Sequence, residues 1–298
     1  MKRLIVFLLF VMGMPSLAWG QIGEDGKRRS YFPQIAIGDG WRVIFNYMEV
    51  SGAETGSGIG ERKRLSNGEG VFPPGKYLID DETRQFKSYI NESFGLPRPS
   101  NWESYSHMGP FGYAMKSISK TPDSPGLVVG WAELIQDDAN ENIVASVTLQ
   151  WWVDGVKITE AGVPAVEARK ENFVQVFLAE KDSQKTGLAI ANPSNVPVEV
   201  TLELRTNRTY LLLDNNYVFG GRGILTTVVI IPPMGHLSKF VPELFPIVFN
   251  EPAWRDTKTL GATLKIISTQ PVPVLALRTS VVPGVGFMMS TLAAATPK

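Results

Sequence analysis

Few residues in this chain could carry out catalysis. It has no cysteine and two histidines, His107 and His236. A serine hydrolase needs a nucleophile beside a histidine base, and the Gly-x-Ser-x-Gly turn that would present the serine is absent. Zinc sites use several cysteine or histidine ligands, which two distant histidines cannot supply. The sequence therefore predicts no catalytic residue, no metal site and no cofactor, and we expect a protein that is not an enzyme.

Two weaker signals leave alternatives open. Residues 137–142 (DDANEN) offer alternating oxygen ligands for calcium, but they lack the glycine and the distal glutamate of an EF-hand loop, so a polar turn is the favoured interpretation. His236 follows the Pro-Pro pair 232–233, which ends a predicted strand, and this position favours a surface or capping role.

A cluster of aromatic residues is the best candidate for a binding site. Trp102, Tyr105 and Tyr113, together with His107, fall among Asn, Ser, Gly and Pro within a predicted irregular insertion at about 80–125. Flat apolar rings beside polar groups suit a glycan or a cell-surface protein. The alternative is that these rings form a small local core. A second possible function is a glycan-active hydrolase that uses carboxylates of the insertion.

The elements that must position these residues are β-strands. Residues 198–204 (VEVTLEL) alternate apolar and polar side chains, as a half-buried strand does. Short strand candidates separated by Pro- and Gly-containing turns predict an all-β fold of two tandem antiparallel, immunoglobulin-like β-sandwiches. Residues 128–135 and 143–152 are predicted to form a hairpin, residues 154–155 (DG) a turn, and residues 238–245 a short helix.

Similar phrases in the two halves indicate a tandem repeat. Residues 71–78 (VFPPGKYL) resemble residues 230–237 (IIPPMGHL), and each phrase precedes an apolar strand pair, at 130–149 and 261–279. This alignment makes Lys76 the counterpart of His236. We expect one domain at 31–168 and a second at 169–298, joined near 165–172 and able to fold separately.

The N-terminus has the pattern of a secretory signal. Lys2 and Arg3 precede a short apolar run at 4–14, and residues 18–20 (AWG) place small residues at a cleavage site. We expect a signal peptide at 1–20, cleavage before Gln21, and a flexible lead-in at 21–30. The alternative is an uncleaved anchor, for which the run is short. The mature chain should be secreted or periplasmic and should not span a membrane.

The overall charge argues against a nucleic-acid partner. The chain carries 29 basic and 29 acidic residues, whereas nucleic-acid binders usually show a basic excess.

Several phrases resemble those of uncharacterised secreted bacterial proteins with repeated β-sandwich domains. They are residues 186–194 (TGLAIANPS), 235–240 (GHLSKF) with 243–246 (ELFP), and 268–272 (STQPV), with 32–36 (FPQIA) and 160–165 (EAGVPA) in the first half. The resemblance implies export, a β-sandwich fold and a bacterial origin. It implies no catalytic residue, because the phrases correspond to turns and strand ends.

Overall fold

The described residues of the computed structural model lie almost wholly in β-strands of antiparallel sheets. The predicted all-β sandwich fold is thereby confirmed. The structure describes residues 21–22, 26–49, 57–65, 77–84, 102–108, 113–120, 126–136, 143–178, 184–206, 210–213, 216–219, 223–246, 260–282, 286–292 and 294–295.

The first sandwich consists of two five-stranded sheets. Sheet A has the strand order β1-β2-β8-β4-β6, and sheet B has the order β10-β9-β3-β7-β5. The strands are β1 (Gln21–Ile22), β2 (Arg28–Ile37), β3 (Trp41–Glu49), β4 (Ser57–Leu65), β5 (Tyr77–Arg84), β6 (Trp102–Met108), β7 (Tyr113–Lys120), β8 (Val128–Gln136), β9 (Ile143–Val153) and β10 (Val156–Pro164).

The second sandwich consists of two four-stranded sheets. Sheet C has the order β11-β18-β13-β16, and sheet D has the order β17-β12-β19-β20. The elements are β11 (Arg169–Leu178), β12 (Gln184–Ala191), β13 (Val198–Thr206), the hairpin β14 (Tyr210–Leu213) and β15 (Asn216–Phe219), β16 (Gly223–Ile231), β17 (His236–Phe240), the helix α1 (Val241–Leu244), β18 (Leu260–Val272), β19 (Val274–Val282) and β20 (Gly286–Leu292). The helix is shorter than the predicted 238–245, because β17 pairs with β12 as far as Phe240.

Alternating side chains build both cores. The apolar residues of β13 are completely buried, and they are Val198, Val200, Leu202 and Leu204. In the first sandwich the same period buries one face of β3 and β9, with Val43, Phe45, Val147 and Leu149 at most 1% exposed. Such residues favour strands because every second side chain faces the core.

The predicted hairpin at 128–135 and 143–152 is wrong. Both segments are strands, but β8 lies in sheet A between β2 and β4, whereas β9 lies in sheet B between β10 and β3. The corresponding strands β18 and β19 also lie in different sheets, with Pro273 between them. Proline has no N–H to continue a ladder, so it suits a point where the chain changes sheets. Alternation identifies a buried face but does not identify the partner strand.

The predicted irregular insertion at about 80–125 also needs correction. Its described residues belong to regular strands, namely the end of β5, all of β6 and all of β7. Strand β6 pairs with β4, and β7 lies between β3 and β5. Alternation in these strands is weak, because serine, threonine and charged residues occupy many of their positions. Residues 71–76 of the repeated phrase lie outside the described residues.

The two sandwiches share a strand order. The order β2-β8-β4-β6 corresponds to β11-β18-β13-β16, and β10-β9-β3-β7 corresponds to β20-β19-β12-β17. Strand β7 is therefore the counterpart of β17. Tyr113 begins β7 and His236 begins β17, so the strand order aligns His236 with the start of β7 and not with Lys76.

The sandwiches pack directly against each other. Ala189 and Leu275 of the second sandwich belong to the same buried apolar cluster as the core of the first. The segment that joins them is held in place, because Tyr31 and Val166 exchange two backbone hydrogen bonds of 2.8 Å. Whether each sandwich folds separately stays a prediction.

Candidate ligand-binding surface

The four sequence-predicted site residues lie in different sheets. Trp102, Tyr105 and His107 are in β6, the edge strand of sheet A, where they pair with residues of β4. Tyr113 begins β7 in sheet B and pairs with Met48. The side chains of all four lie outside the described part of the structure, so their role as a binding site stays a prediction.

A different aromatic cluster is described in detail, and two tight turns build it. Asp39 and Gly40 both have positive φ, of 50° and 84°, between the bridged residues Gly38 and Trp41. Asp154 and Gly155 repeat this pattern between β9 and β10, with φ of 51° and 76°. Positive φ at both central residues is the requirement of a type I′ turn, which Asp-Gly meets well. The predicted turn at 154–155 is thus confirmed.

Trp152 is the centre of this cluster on the outer face of sheet B. Its indole Nε1 donates to Gln150 Oε1 at 3.0 Å, and the guanidinium of Arg42 lies over its ring, 4.9 Å from the centroid. Gln150 Nε2 in turn donates to Glu160 Oε2 at 3.2 Å, and Lys157 Nζ donates to the same oxygen at 2.7 Å. These five residues form the Trp152 surface, a continuous network around one partly exposed indole.

Strand register explains why these residues meet. Arg42 on β3 and Glu160 on β10 both pair with Gln150 on β9, and Lys157 pairs with Trp152. An irregularity between Lys157 and Thr159 shifts the register of β10, which places Lys157 beside Trp152 and within reach of Glu160.

Lys157 sets the ionisation of this surface. The pKa of Glu160 is lowered chiefly by the hydrogen bond from Lys157, with a smaller opposing effect of burial. Glu160 is therefore a carboxylate at neutral pH and accepts hydrogen bonds. Both side chains are almost half exposed, at 49% for Glu160 and 41% for Lys157, so a ligand could reach them.

The inward-facing aromatics beside this surface are structural. Trp41 and Trp151 stack with ring centroids 6.3 Å apart, and Phe287 of the second sandwich meets the Trp151 ring edge-on at 5.5 Å. Trp151 Nε1 donates to the carbonyl oxygen of Asp39 at 3.3 Å. These rings close one end of the first core and contact the second sandwich.

His236 has a different position from the one predicted. Its Nε2 donates to the carbonyl oxygen of Pro33 at 2.8 Å, so the ring bridges the two sandwiches instead of capping a surface turn. Burial lowers the pKa of His236 to about 4, with a smaller opposing effect of the hydrogen bond to Pro33. The ring is thus neutral at physiological pH and is committed to the contact between sandwiches.

The buried carboxylate Glu133 is paired, and the described residues hold no metal-binding cluster. Glu133 is 5% exposed, and its Oε1 accepts a 2.8 Å hydrogen bond from Arg29, as expected of a structural ion pair. Within the described ranges, no group of three or more His, Asp and Glu residues could hold a metal ion. The calcium candidate at 137–142 lies outside the described residues.

Sequence reasoning missed the Trp152 surface, although a signal was present. Three of the seven tryptophans, Trp41, Trp151 and Trp152, lie within three residues of an Asp-Gly pair. An aromatic residue next to a tight turn is held at the end of a sheet, where it can remain partly exposed.

Comparison with known proteins gives no further constraint. No protein-family model matches the chain. No curated protein matches it either.

The one described helix, α1, has four residues, and no helix in the described part of the chain could span a membrane.

Proposed function

We propose that the protein is an exported, non-enzymatic binding module that holds a glycan on the Trp152 surface. The observation that carries this proposal is the fixed, partly exposed indole of Trp152, bordered by Arg42, Gln150, Lys157 and Glu160. Sugar rings have apolar faces and hydroxyl edges, so they suit an aromatic face with donors and acceptors around it.

Preorganisation supports binding at this place. Trp152 Nε1 is held by Gln150, which is only 8% exposed and is itself held by Glu160. A side chain that is already ordered loses little conformational entropy when a ligand arrives. Arg42 and Lys157 contribute donors, and the ionised Glu160 contributes an acceptor for hydroxyl groups. A cell-surface protein is the competing partner, and wild-type protein that binds no glycan in the experiment below would favour it.

Of the four binding residues predicted from the sequence, only Tyr113 lies in the same sheet as Trp152. Tyr113 lies on β7, which pairs with the strand that carries Arg42. Tyr113 is paired with Met48, six residues along β3 from Arg42, so only a ligand that also extends along the strands would reach both Trp152 and Tyr113. Trp102, Tyr105 and His107 lie in the other sheet, so a single small ligand would not contact all of the predicted residues.

The glycan-active hydrolase remains the second candidate. Such an enzyme needs a protonated carboxylic acid opposite a carboxylate. Within the Trp152 surface Glu160 is the one carboxyl group, and its lowered pKa makes it a poor proton donor at neutral pH. Carboxylates of the segment at 80–125 have no described side chains, so a hydrolysis assay belongs in the test.

Export and duplication complete the proposal. Residues 1–20 have the pattern of a cleaved signal, which would deliver the module to a compartment where glycans are present. Duplication of one ancestral sandwich would account for the common strand order, and for the similar phrases 110–113 (PFGY) and 233–236 (PMGH) before β7 and β17. The resemblance to secreted bacterial proteins with repeated sandwiches agrees with both points.

The test is a binding screen of the purified protein against neutral and acidic polysaccharides, with product analysis for hydrolysis. We expect Trp152→Ala to weaken binding about tenfold or more, or about 1.4 kcal/mol, because it removes the stacking face. Phe240→Ala is the matched control, since Phe240 is an exposed aromatic of the second sandwich, 38% accessible. Binding that survives in Trp152→Ala, or wild-type protein that binds no glycan, would contradict the proposal. Release of reducing ends would favour the hydrolase.

A further inference from the structure

Strand β16 forms an unusual edge of the second sandwich. It lies at the end of sheet C, and among the described strands it pairs only with β13. Its nine residues (GILTTVVII) include no charge and no proline. Natural edge strands usually carry charges, prolines or bulges that prevent pairing with another molecule.

The side chains of β16 are apolar and accessible. Ile224, Val228 and Ile230 on the outward row are 57%, 53% and 71% exposed. On the inward row, Leu225 and Val229 are only partly buried against the core. Within the described part of the chain, the strand therefore presents one edge of unpaired backbone groups together with β-branched side chains, which is the combination that favours pairing with another strand.

The corresponding strand of the first sandwich is different. Strand β6 occupies the equivalent edge of sheet A, and its sequence (WESYSHM) includes Glu103 and two serines. The strand order alone therefore does not require a charge-free edge. The contrast indicates that β16 is adapted to be covered.

We propose that β16 pairs antiparallel with β16 of a second copy of this chain, forming a continuous eight-stranded sheet across a two-fold axis. Full overlap of residues 223–231 places Thr227 opposite Thr227 of the other copy. The same register places Ile224 opposite Ile230, and Thr226 opposite Val228. Each cross-strand pair is then apolar or β-branched, as stable antiparallel pairs are, and the interface is self-complementary.

Charges beside the edge fit this register. On the neighbouring strand β13, Arg205 lies opposite Ile224 and Glu199 lies opposite Ile230. When Ile224 of one copy pairs with Ile230 of the other, Arg205 of the first copy and Glu199 of the second lie at the two ends of the same row of residues. The two-fold axis generates an identical second row, so each row carries one positive and one negative charge.

The expected size of the interface predicts a weak dimer. Nine paired residues per copy would bury on the order of 1,000 Å² in total, near the lower limit of specific interfaces, so dimerisation should depend on concentration.

Cysteine crosslinking tests the register, because the chain has no native cysteine. Thr227→Cys should form a disulfide-linked dimer under mild oxidation, since directly opposed residues lie about 5 Å apart and disulfides span such distances. Ile230→Cys is the matched control on the same strand. In the proposed register its two copies are about 20 Å apart, so it should not crosslink. Equal crosslinking of both variants, or none for Thr227→Cys, would overturn the proposal.

Sedimentation equilibrium of the full chain tests the interface independently. We expect reversible dimerisation that Val228→Lys weakens about tenfold or more, because the lysines of the two copies would be diagonal neighbours on the same face of the joined sheet and would repel each other. Val281→Lys is the control, since Val281 is equally exposed at 52% but lies on β19, away from the edge. Circular dichroism would verify that each variant is folded. A wild-type monomer at all concentrations, as expected if another segment of the same chain covers β16, would refute the proposal, as would equal effects of the two lysines.

Discussion

Gly40 lies so close to the backbone of Trp152 that it has no room for a side chain. A Cβ atom at Gly40 would overlap the carbonyl oxygen of Trp152, and the carbonyl oxygen of Gly40 accepts a 2.9 Å hydrogen bond from Trp152 N. Gly40 also has a φ of +84°, which favours glycine. The turn between the two sheets therefore fixes the strand that carries the candidate binding residue.

Gly40→Ala should destabilise the protein by about 3 kcal/mol, because it combines an unfavourable φ with a backbone overlap. Gly155→Ala is the matched control. Gly155 has a similar φ of +76° in the other Asp-Gly turn, but its Cβ would meet nothing within 4 Å. That control should cost about 1 kcal/mol. Urea denaturation would measure both, and equal losses would show that the contact with Trp152 contributes nothing.

Asn192 organises the turn after β12. It is completely buried, and its Nδ2 donates to the carbonyl oxygens of Val196, Ile231 and Pro232 at 2.7, 3.1 and 2.9 Å. Asn192→Asp keeps the shape but turns an oxygen towards three carbonyl oxygens. We expect a loss of about 3 kcal/mol or more in the free energy of unfolding.

The exposed neighbour Asn195 provides the control for this change. Asn195→Asp should alter stability by less than about 0.5 kcal/mol, as surface substitutions usually do. Thermal and urea unfolding would compare the two variants. Similar stabilities for both would mean that the network around Asn192 is not needed.

The contact between His236 and Pro33 predicts a pH dependence of stability. The pKa of His236 is lowered to about 4 in the folded protein from 6.5. Between these values the unfolded chain binds more protons than the folded one, so stability falls as the pH falls through this window. The loss should reach at most about 3 kcal/mol at pH 4.

His236→Gln separates this effect from the titration of carboxyl groups. Glutamine retains a donor for the carbonyl oxygen of Pro33 but does not titrate. The difference in unfolding free energy between wild type and variant should therefore shrink as the pH is lowered from 6.5 to 4. If this difference in unfolding free energy did not change with pH, protonation of His236 would not destabilise the folded protein.

Intact-mass measurement tests the predicted export signal. Protein recovered after export should begin at Gln21 and lack residues 1–20. Ala18→Asp should block this cleavage, because a small side chain is needed at that position, whereas Trp19→Ala should still be cleaved. A wild-type mass that retains residues 1–20 would contradict cleavage and favour an anchored protein.

Much of the fold could be predicted because alternation is a local property. The apolar residues at 198, 200, 202 and 204 are all buried, as their period of two indicated. The turn at Asp154 and Gly155 could also be predicted, because the positive φ angles that it needs are favoured by these two residue types alone. The all-β class and the strand at 198–204 follow from such signals.

The partner of each strand was decided only by the tertiary structure. Strands β8 and β9 are consecutive and both half-buried, yet they lie in opposite sheets. Alternation determines that one face is buried, but many pairings satisfy that condition. The choice among them depends on how the whole core packs, and therefore on contacts between residues distant in sequence.

The candidate site illustrates the same division. Trp152 and its Asp-Gly turn are adjacent in the chain, so composition could have pointed to them. Arg42 lies more than a hundred residues away and reaches Trp152 only because β3 and β9 pair in one register. His236 likewise meets Pro33 only because two sandwiches pack together. Local sequence determined the strands and turns, while long-range packing decided which side chains meet, because those contacts exist only once the sheets have assembled.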